Sequence, residues 1–342
     1  MLRCATHCSH SLRTLLGEKI SCGNRVPYPR AIRFFGNAPS AFVRHSHLSD
    51  RRRNLNQPRR RIRLIAIAAS QSKMSNATNN TERFTGRAED YDRFRQRYPT
   101  QEILSRLQAW CGLEPNWRIA DIGAGTGMLA EVFLENSNPV LAVEPNADMR
   151  QYMRTLFAPP HPLAPQLEIL DATAEATTIS AASIDMVAAG RAFHWFDERR
   201  ALAEFRRILK PTGWVALISQ SRAHQSTDPD VSKQIAAFEH LLIAHGTDYK
   251  YIRSGYRSHD NMQALFGSET ELHQDQIAGT QQLDWAAFRG NTMSLSVTPQ
   301  PGHANDAAFQ RELLVFFDTF AVDGALTIPT TCWITAARYG PH

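Results

Sequence analysis

The sequence predicts an α/β fold, a mostly parallel sheet with helices on both faces, on three observations. Short apolar runs alternate with amphipathic segments from Arg118 to Ser219. Alternate glycines at Gly123, Gly125 and Gly127 join the first run to a helix, and acidic residues follow the next two runs at Glu144 and Asp171. Strands separated by helix-length segments read as parallel, because a parallel neighbour needs a long crossover, and the crossover helices then cover both sheet faces.

In chain order, "TQEILSRLQAWCGL" sets Ile103, Leu104, Leu107 and Trp110 on one helical face, with Thr100 as the expected N-cap. "WRIADIG" is a short apolar strand, and "GMLAEVFLEN" an amphipathic helix. "PVLAVEP" is the next strand, followed by the helix "NADMRQYMRTLF" capped by Asn146. "LEILDA", "IDMVAAGR" and "WVALIS" are further strands, and the helix "DERRALAEFRRILK" ends at Lys210 before a Pro-Thr-Gly turn. Beyond Ser219 the rhythm changes. "VSKQIAAFEHLLIAHG" and "DAAFQRELLVFFDTF" read as helices, "ETELHQDQIAGTQQLDW" as an exposed antiparallel strand, and "ALTIPTTCWITAARY" as a strand.

Charge divides the chain at Met74. Residues 1–73 hold 15 of its 38 basic residues and 2 of its 33 acidic ones, so the remainder carries 23 basic against 31 acidic. Such an arm resembles an organelle transit peptide or a phosphate-binding tail. Because composition, charge sign and periodicity all change at Met74, the reading adopted is a basic, disordered arm, a leader or upstream mis-assigned start, outside the working protein. Its apolar run, Ile62 to Ser70, falls well short of the roughly 20 residues that span a bilayer. Cys4, Cys8 and Cys22 lie in the arm, while Cys111 and Cys332 stand far apart in the body, which fits a reducing, cytoplasmic setting without a disulfide framework. No His or Cys spacing indicates a metal; His224, His240, His245, His259, His273 and His303 are expected as ordinary surface or core residues.

The glycine turn carries the chemistry. Bare backbone between a buried strand and a helix N-terminus lets a nucleotide-like ligand approach closely. The spacing departs from G-x-G-x-x-G because position 128 is Met128, which weakens a dinucleotide reading. Glu144 stands where an acid accepts from both ribose hydroxyls, and Asp171 with Ala172 stands where a carboxylate and a backbone N–H bracket an adenine edge.

Together, "ADIGAGTG", "AVEP", "LDATAE", "FHWFD" and "ILKPTGWVAL" resemble the class I S-adenosylmethionine-dependent methyltransferase family over about Glu82 to Ser219. "FTGRAEDYDRFRQRYP" and "RAFHWFD" are similar to the type 11 group of small-molecule methyltransferases, which includes relatives of trans-aconitate methyltransferase. Thr212 departs from the glycine common in the family's turn. The resemblance implies a Rossmann-like sheet of seven strands with the last one antiparallel, for which "LHQDQIAG" and "LTIPTTCWITAARY" are the expected hairpin. It implies S-adenosyl-L-methionine as cofactor, with Asp121, Gly123, Gly125 and Gly127 at its methionine part, Glu144 at the ribose, and Asp171 and Ala172 at the adenine. Tyr91 and Arg97 fall in the family's N-terminal lid, and Phe193 in a wall of the cofactor pocket. The expected organisation is therefore a lid over 74–99, a cofactor-binding core over 100–220, a substrate-side insertion over 221–270, and closing strands and helices over 271–342.

Methyl transfer is an in-line displacement that leaves a neutral thioether, so alignment and water exclusion matter more than acid catalysis. His194 is the candidate base if the acceptor carries a proton, while Arg191 and Trp195 are candidate substrate contacts, Arg191 as a clamp if the acceptor is already an anion. The tyrosines and arginines of Asp248 to Asp260 could line a substrate site or form an exposed loop. The expected partner is a small-molecule methyl acceptor, a carboxylate or hydroxyl, with no membrane. A nucleic-acid-modifying protein using the arm and a non-catalytic cofactor binder remain as alternatives; the acidic body disfavours the first.

Overall fold

The computed structural model describes residues 85–247, 249, 259–267 and 270–339, all within the compact unit Pro58–His342. The basic arm, its three cysteines, the first part of the expected lid and most of the 248–260 loop lie outside the described residues.

Seven strands form one sheet: β1 (Ile119–Ile122), β2 (Val140–Val143), β3 (Leu167–Leu170), β4 (Ile184–Gly190), β5 (Leu209–Arg222), β6 (Glu271–Leu283) and β7 (Leu326–Arg338). Their spatial order is β3-β2-β1-β4-β5-β7-β6. The first five are mutually parallel and β7 runs antiparallel to both its neighbours, so the fold is the Rossmann-like sheet expected. The helices are α1 (Ala88–Phe94), α2 (Thr100–Cys111), α3 (Met128–Glu135), α4 (Ala147–Leu156), α5 (Glu198–Ile208), α6 (Pro229–His245), α7 (His259–Phe266), α8 (Trp285–Met293) and α9 (Asp306–Phe320). None of the described helices is long and apolar enough to cross a membrane.

Strand alternation divides the core. Ile119, Val140, Ala142, Met186, Ala188 and Trp214 face one side, where they pack with Leu107, Met128 and Phe133 of α2 and α3. Ala120, Ile122, Leu141, Val143, Val187 and Val215 face the other, against Ala201, Phe205 and Ile208 of α5. Because both faces are covered, the parallel strands carry apolar residues at nearly every position. A third cluster, with Phe238, Phe288, Phe309 and Phe317, joins α6, α8 and α9 beyond the sheet.

Several local expectations change, among them the end of α5, which stops at Ile208 and not Lys210, and α7, which the sequence did not announce. Thr100 is the first residue of α2 and not its cap; Pro99 is the N-cap, its carbonyl accepting from Ile103 N–H at 3.0 Å. β5 extends past the predicted "WVALIS", since β7 pairs with it out to Arg222, and the Pro-Thr-Gly turn survives as a bulge between the Leu209 and Trp214 pairings. The α8 helix was not expected. Asp284 caps it through Ala287 N–H at 2.8 Å, but Gly290 inside it weakens the sequence signal. That glycine has a packing reason: a Cβ there would fall 2.5 Å from the Phe94 ring of α1.

Candidate functional site

Two cavities open above the C-terminal ends of the strands, where open α/β sheets bind ligands. One, of about 180 Å³, is the glycine-loop cleft; its lining includes Gly123, Gly125, Glu144, Asn146 and Thr173. The other, of about 190 Å³, lies over β5 and β7 and includes Arg95, His194, Arg222, Phe238 and Val297. Tyr91, Arg191 and Trp195 line both.

All three loop glycines adopt positive φ, +70° at Gly123, +59° at Gly125 and +92° at Gly127. The turn is tied to β2, with the N–H groups of Gly123 and Ala124 both donating to Val143 O, at 2.8 and 3.1 Å. Glu144, buried at the end of β2, accepts from Gly125 N–H through Oε2 and from Asn146 N–H through Oε1, each at 2.8 Å. Burial raises its pKa while those two N–H groups and Arg150 lower it. Each carboxyl oxygen still has a lone pair to accept a further bond. Asn146 in turn caps α4 by accepting from Met149 N–H at 2.9 Å.

Asp121 lies beneath the turn, fully buried, with no regular hydrogen-bond partner for either carboxylate oxygen. Burial and then the Glu144 charge push its pKa up to about 7, and Ala130 N–H offsets only part of this. The consequence is a pH dependence of stability. The unfolded chain loses this proton near pH 4 and the folded chain keeps it to about 7, so the stability linked to Asp121 is whole below pH 4 and lost as pH rises through 7. At roughly 1.4 kcal/mol per pH unit, a few kcal/mol are at stake. Thermal unfolding of Asp121→Asn should show a flatter slope than wild type between pH 5 and 7.5; parallel slopes would contradict this assignment.

Not every expected residue lines a cavity. Asp171 pairs with Arg150 at 2.6 Å and its side chain is 68% exposed; Thr173, Ala174 and Glu175, just beyond it, line the cleft. Ala172 is buried in the core. Gly127 serves packing, since a Cβ there would meet the Phe157 ring at 2.9 Å. Arg97 pairs with Asp92 at 3.0 Å and Glu131 at 3.5 Å, away from both cavities' linings, and Phe193 packs edge-on against Phe196, which does line the cleft.

His194 sits on a short 3-10 turn after β4, beside Trp195 at 4.5 Å between ring centroids. Burial and then Arg95 hold its pKa down to about 4, so the ring is neutral near pH 7 and a weak base. Arg191, at φ +56°, lies over the rings of Tyr98 at 5.0 Å and Tyr91 at 5.5 Å. His224, expected as an ordinary histidine, lines the second cavity. So does Arg222, which carried no sequence signal because it ends a strand that reads as finished at Ser219.

Residues 120–217 match the methyltransferase domain family model. An uncharacterized methyltransferase of Mycobacterium tuberculosis is 34% identical over 132 residues, covering 39% of this chain and 49% of that one. One of Schizosaccharomyces pombe is 32% identical over 130 residues, covering 38% and 49%. The solved structure of the YcgJ protein from Bacillus subtilis superposes with a TM-score of 0.46 at 17% identity, over 71% of this chain and 100% of that one. This part of the chain is therefore similar to methyltransferase domains. The chain spans about half the length of the curated relatives it matches.

Proposed function

We propose that the protein transfers a methyl group from S-adenosyl-L-methionine to a small-molecule acceptor, a carboxylate or hydroxyl, by in-line displacement. The observation that carries this reading is the pair of cavities sharing Tyr91, Arg191 and Trp195, one built on the glycine loop and the other on β5, β7 and the later helices.

The glycine-loop cleft fits the cofactor. A Cβ at Gly125 would meet nothing within 4 Å, so the loop presents open space at the cleft, and Glu144 offers unused acceptor capacity beside it. Glu144 would hold the ribose, Gly123 and Gly125 the methionine part with Asp121 supporting the turn, and Asp171 with Ala172 the adenine at the Thr173 end. When bound, the cofactor supplies an electrophilic methyl group on a sulfonium.

The chain's own residues supply alignment and a dry, cation-tolerant junction. Tyr91 and Trp195 border both cavities; the Tyr91 ring already carries the Arg95 and Arg191 guanidinium groups, so Trp195 is the aromatic side chain that would suit a positive centre. α1, which carries Tyr91, is fastened over the junction by Asn291 Nδ2 donating to Phe94 O at 2.8 Å and Arg95 donating to Ser294 O at 3.2 Å, and so limits water. A neutral, weakly basic His194 favours an acceptor that arrives already ionised over one whose proton must be taken.

The test is a pair of calorimetric titrations with S-adenosylmethionine and NADH. Binding of the first in the micromolar range, about −8 kcal/mol, with none of the second, is expected. NADH binding alone, or no binding of either, would overturn the reading.

A further inference from the structure

Among the side chains of the second cavity, Arg222 is out of place as a purely structural group. Its side chain is half-buried at the end of β5, and its Nε is buried with no hydrogen-bond partner. Nη2 donates to Asn291 Oδ1 at 3.0 Å and to Thr292 Oγ1 at 2.9 Å, both neutral. The guanidinium also rests on the Phe238 ring at 3.9 Å and the Phe288 ring at 5.0 Å. Among the described residues no carboxylate lies within ion-pair distance of it. A buried cation without a counter-ion is costly, and proteins normally pair it. Here burial, then the nearby Arg95 charge, lower its pKa to about 9, which still leaves it charged near neutrality.

The walls say what would pair it. Among the described residues, Arg95 and Arg191 line the same cavity against a single acid, Glu239. The rest of the lining is largely apolar, with Phe238, Leu242, Val297, Phe316 and Ile328 close by. The cavity thus combines a pre-oriented guanidinium with an aromatic and aliphatic pocket, the arrangement that recognises one carboxylate on an apolar body.

We infer that the second cavity is a site for a monoanionic acceptor, an aryl or alkyl carboxylic acid, anchored by Arg222 and seated against Phe238, Leu242 and Phe316. In calling that ligand the acceptor, the inference rests on the methyltransferase reading. Arg222 then fixes acceptor specificity: neutral analogues leave its charge uncompensated and bind poorly.

The experiment compares two acids, 3-phenylpropanoate and octanoate, with their primary amides, by calorimetry on wild type, Arg222→Met and Arg222→Lys, with S-adenosylmethionine titrated into each in parallel. Wild type should bind at least one acid at least about tenfold more tightly than its amide. The preference should vanish in Arg222→Met and survive in weakened form in Arg222→Lys, while cofactor affinity changes less than about twofold, which also reports an intact fold. Equal binding of acids and amides by wild type, no binding of either, or an acid preference kept in Arg222→Met would overturn the inference. If Arg222→Met fails to fold, the wild-type comparison and Arg222→Lys decide. Acid binding without cofactor binding would leave the anion site standing and sink the methyltransferase reading instead.

Discussion

Replacing Gly123 with alanine should lower thermal stability by roughly 10 °C and abolish cofactor binding. Two costs add at this position. A left-handed backbone costs an L-residue about 1–2 kcal/mol, and Gly123 has φ +70°. The new Cβ would also fall 2.6 Å from Ala192 Cβ and 3.2 Å from the Phe196 ring, on the segment that follows β4. Overpacking of that kind costs about 1–3 kcal/mol more, and a domain of this size loses about 2–4 °C per kcal/mol. Gly125→Ala provides the internal comparison. Its φ is +59°, but nothing lies within 4 Å of its Cβ position, so only the backbone cost applies and the loss should be about 3–5 °C. Differential scanning calorimetry of the two variants checks this, and equal losses would show that contact with Ala192 and Phe196 does not constrain the turn.

Glu144→Ala should weaken S-adenosylmethionine binding about 100-fold, near 3 kcal/mol, with a smaller change in stability. The variant removes the acceptor proposed for the ribose and leaves Gly125 N–H and Asn146 N–H without the carboxylate that each meets at 2.8 Å. Asp171→Ala should cost less, about tenfold, because its carboxylate is largely exposed and its structural partner is Arg150 and not the loop. Isothermal titration of both variants ranks them. A reversed order would shift the weight of recognition from the ribose to the base.

The parallel half of the fold was legible because each element there has a local cause. Buried strands read as apolar runs, Asn146 announces α4, and the glycines require a turn that other residues resist. The later half was only partly legible. The strands and long helices showed their periodicity, but α8 hid behind Gly290, whose purpose is the approach of Phe94, nearly two hundred positions earlier in the chain. The site divided the same way. Gly123, Gly125, Glu144, Arg191 and Trp195 line the cleft and sit in short motifs. Arg222 sits in no motif, and its meaning comes from Phe238 on α6 and from Phe288 and Asn291 on α8, two helices that follow it in the chain.

The position of β7 between β5 and β6 has a kinetic consequence. Strands β1 to β5 can pair as each emerges, across crossovers of modest length. The next place in the sheet must wait for Leu326–Arg338, and β6, although made earlier, has no edge to join until β7 arrives. Loop closure over that span is slow relative to local pairing. The glycine-loop cleft, assembled from β1, β2 and β4, can therefore form during synthesis ahead of the second cavity, whose Ile328 and Pro329 come from β7. A nascent chain would acquire its capacity for the cofactor before its capacity to choose an acceptor.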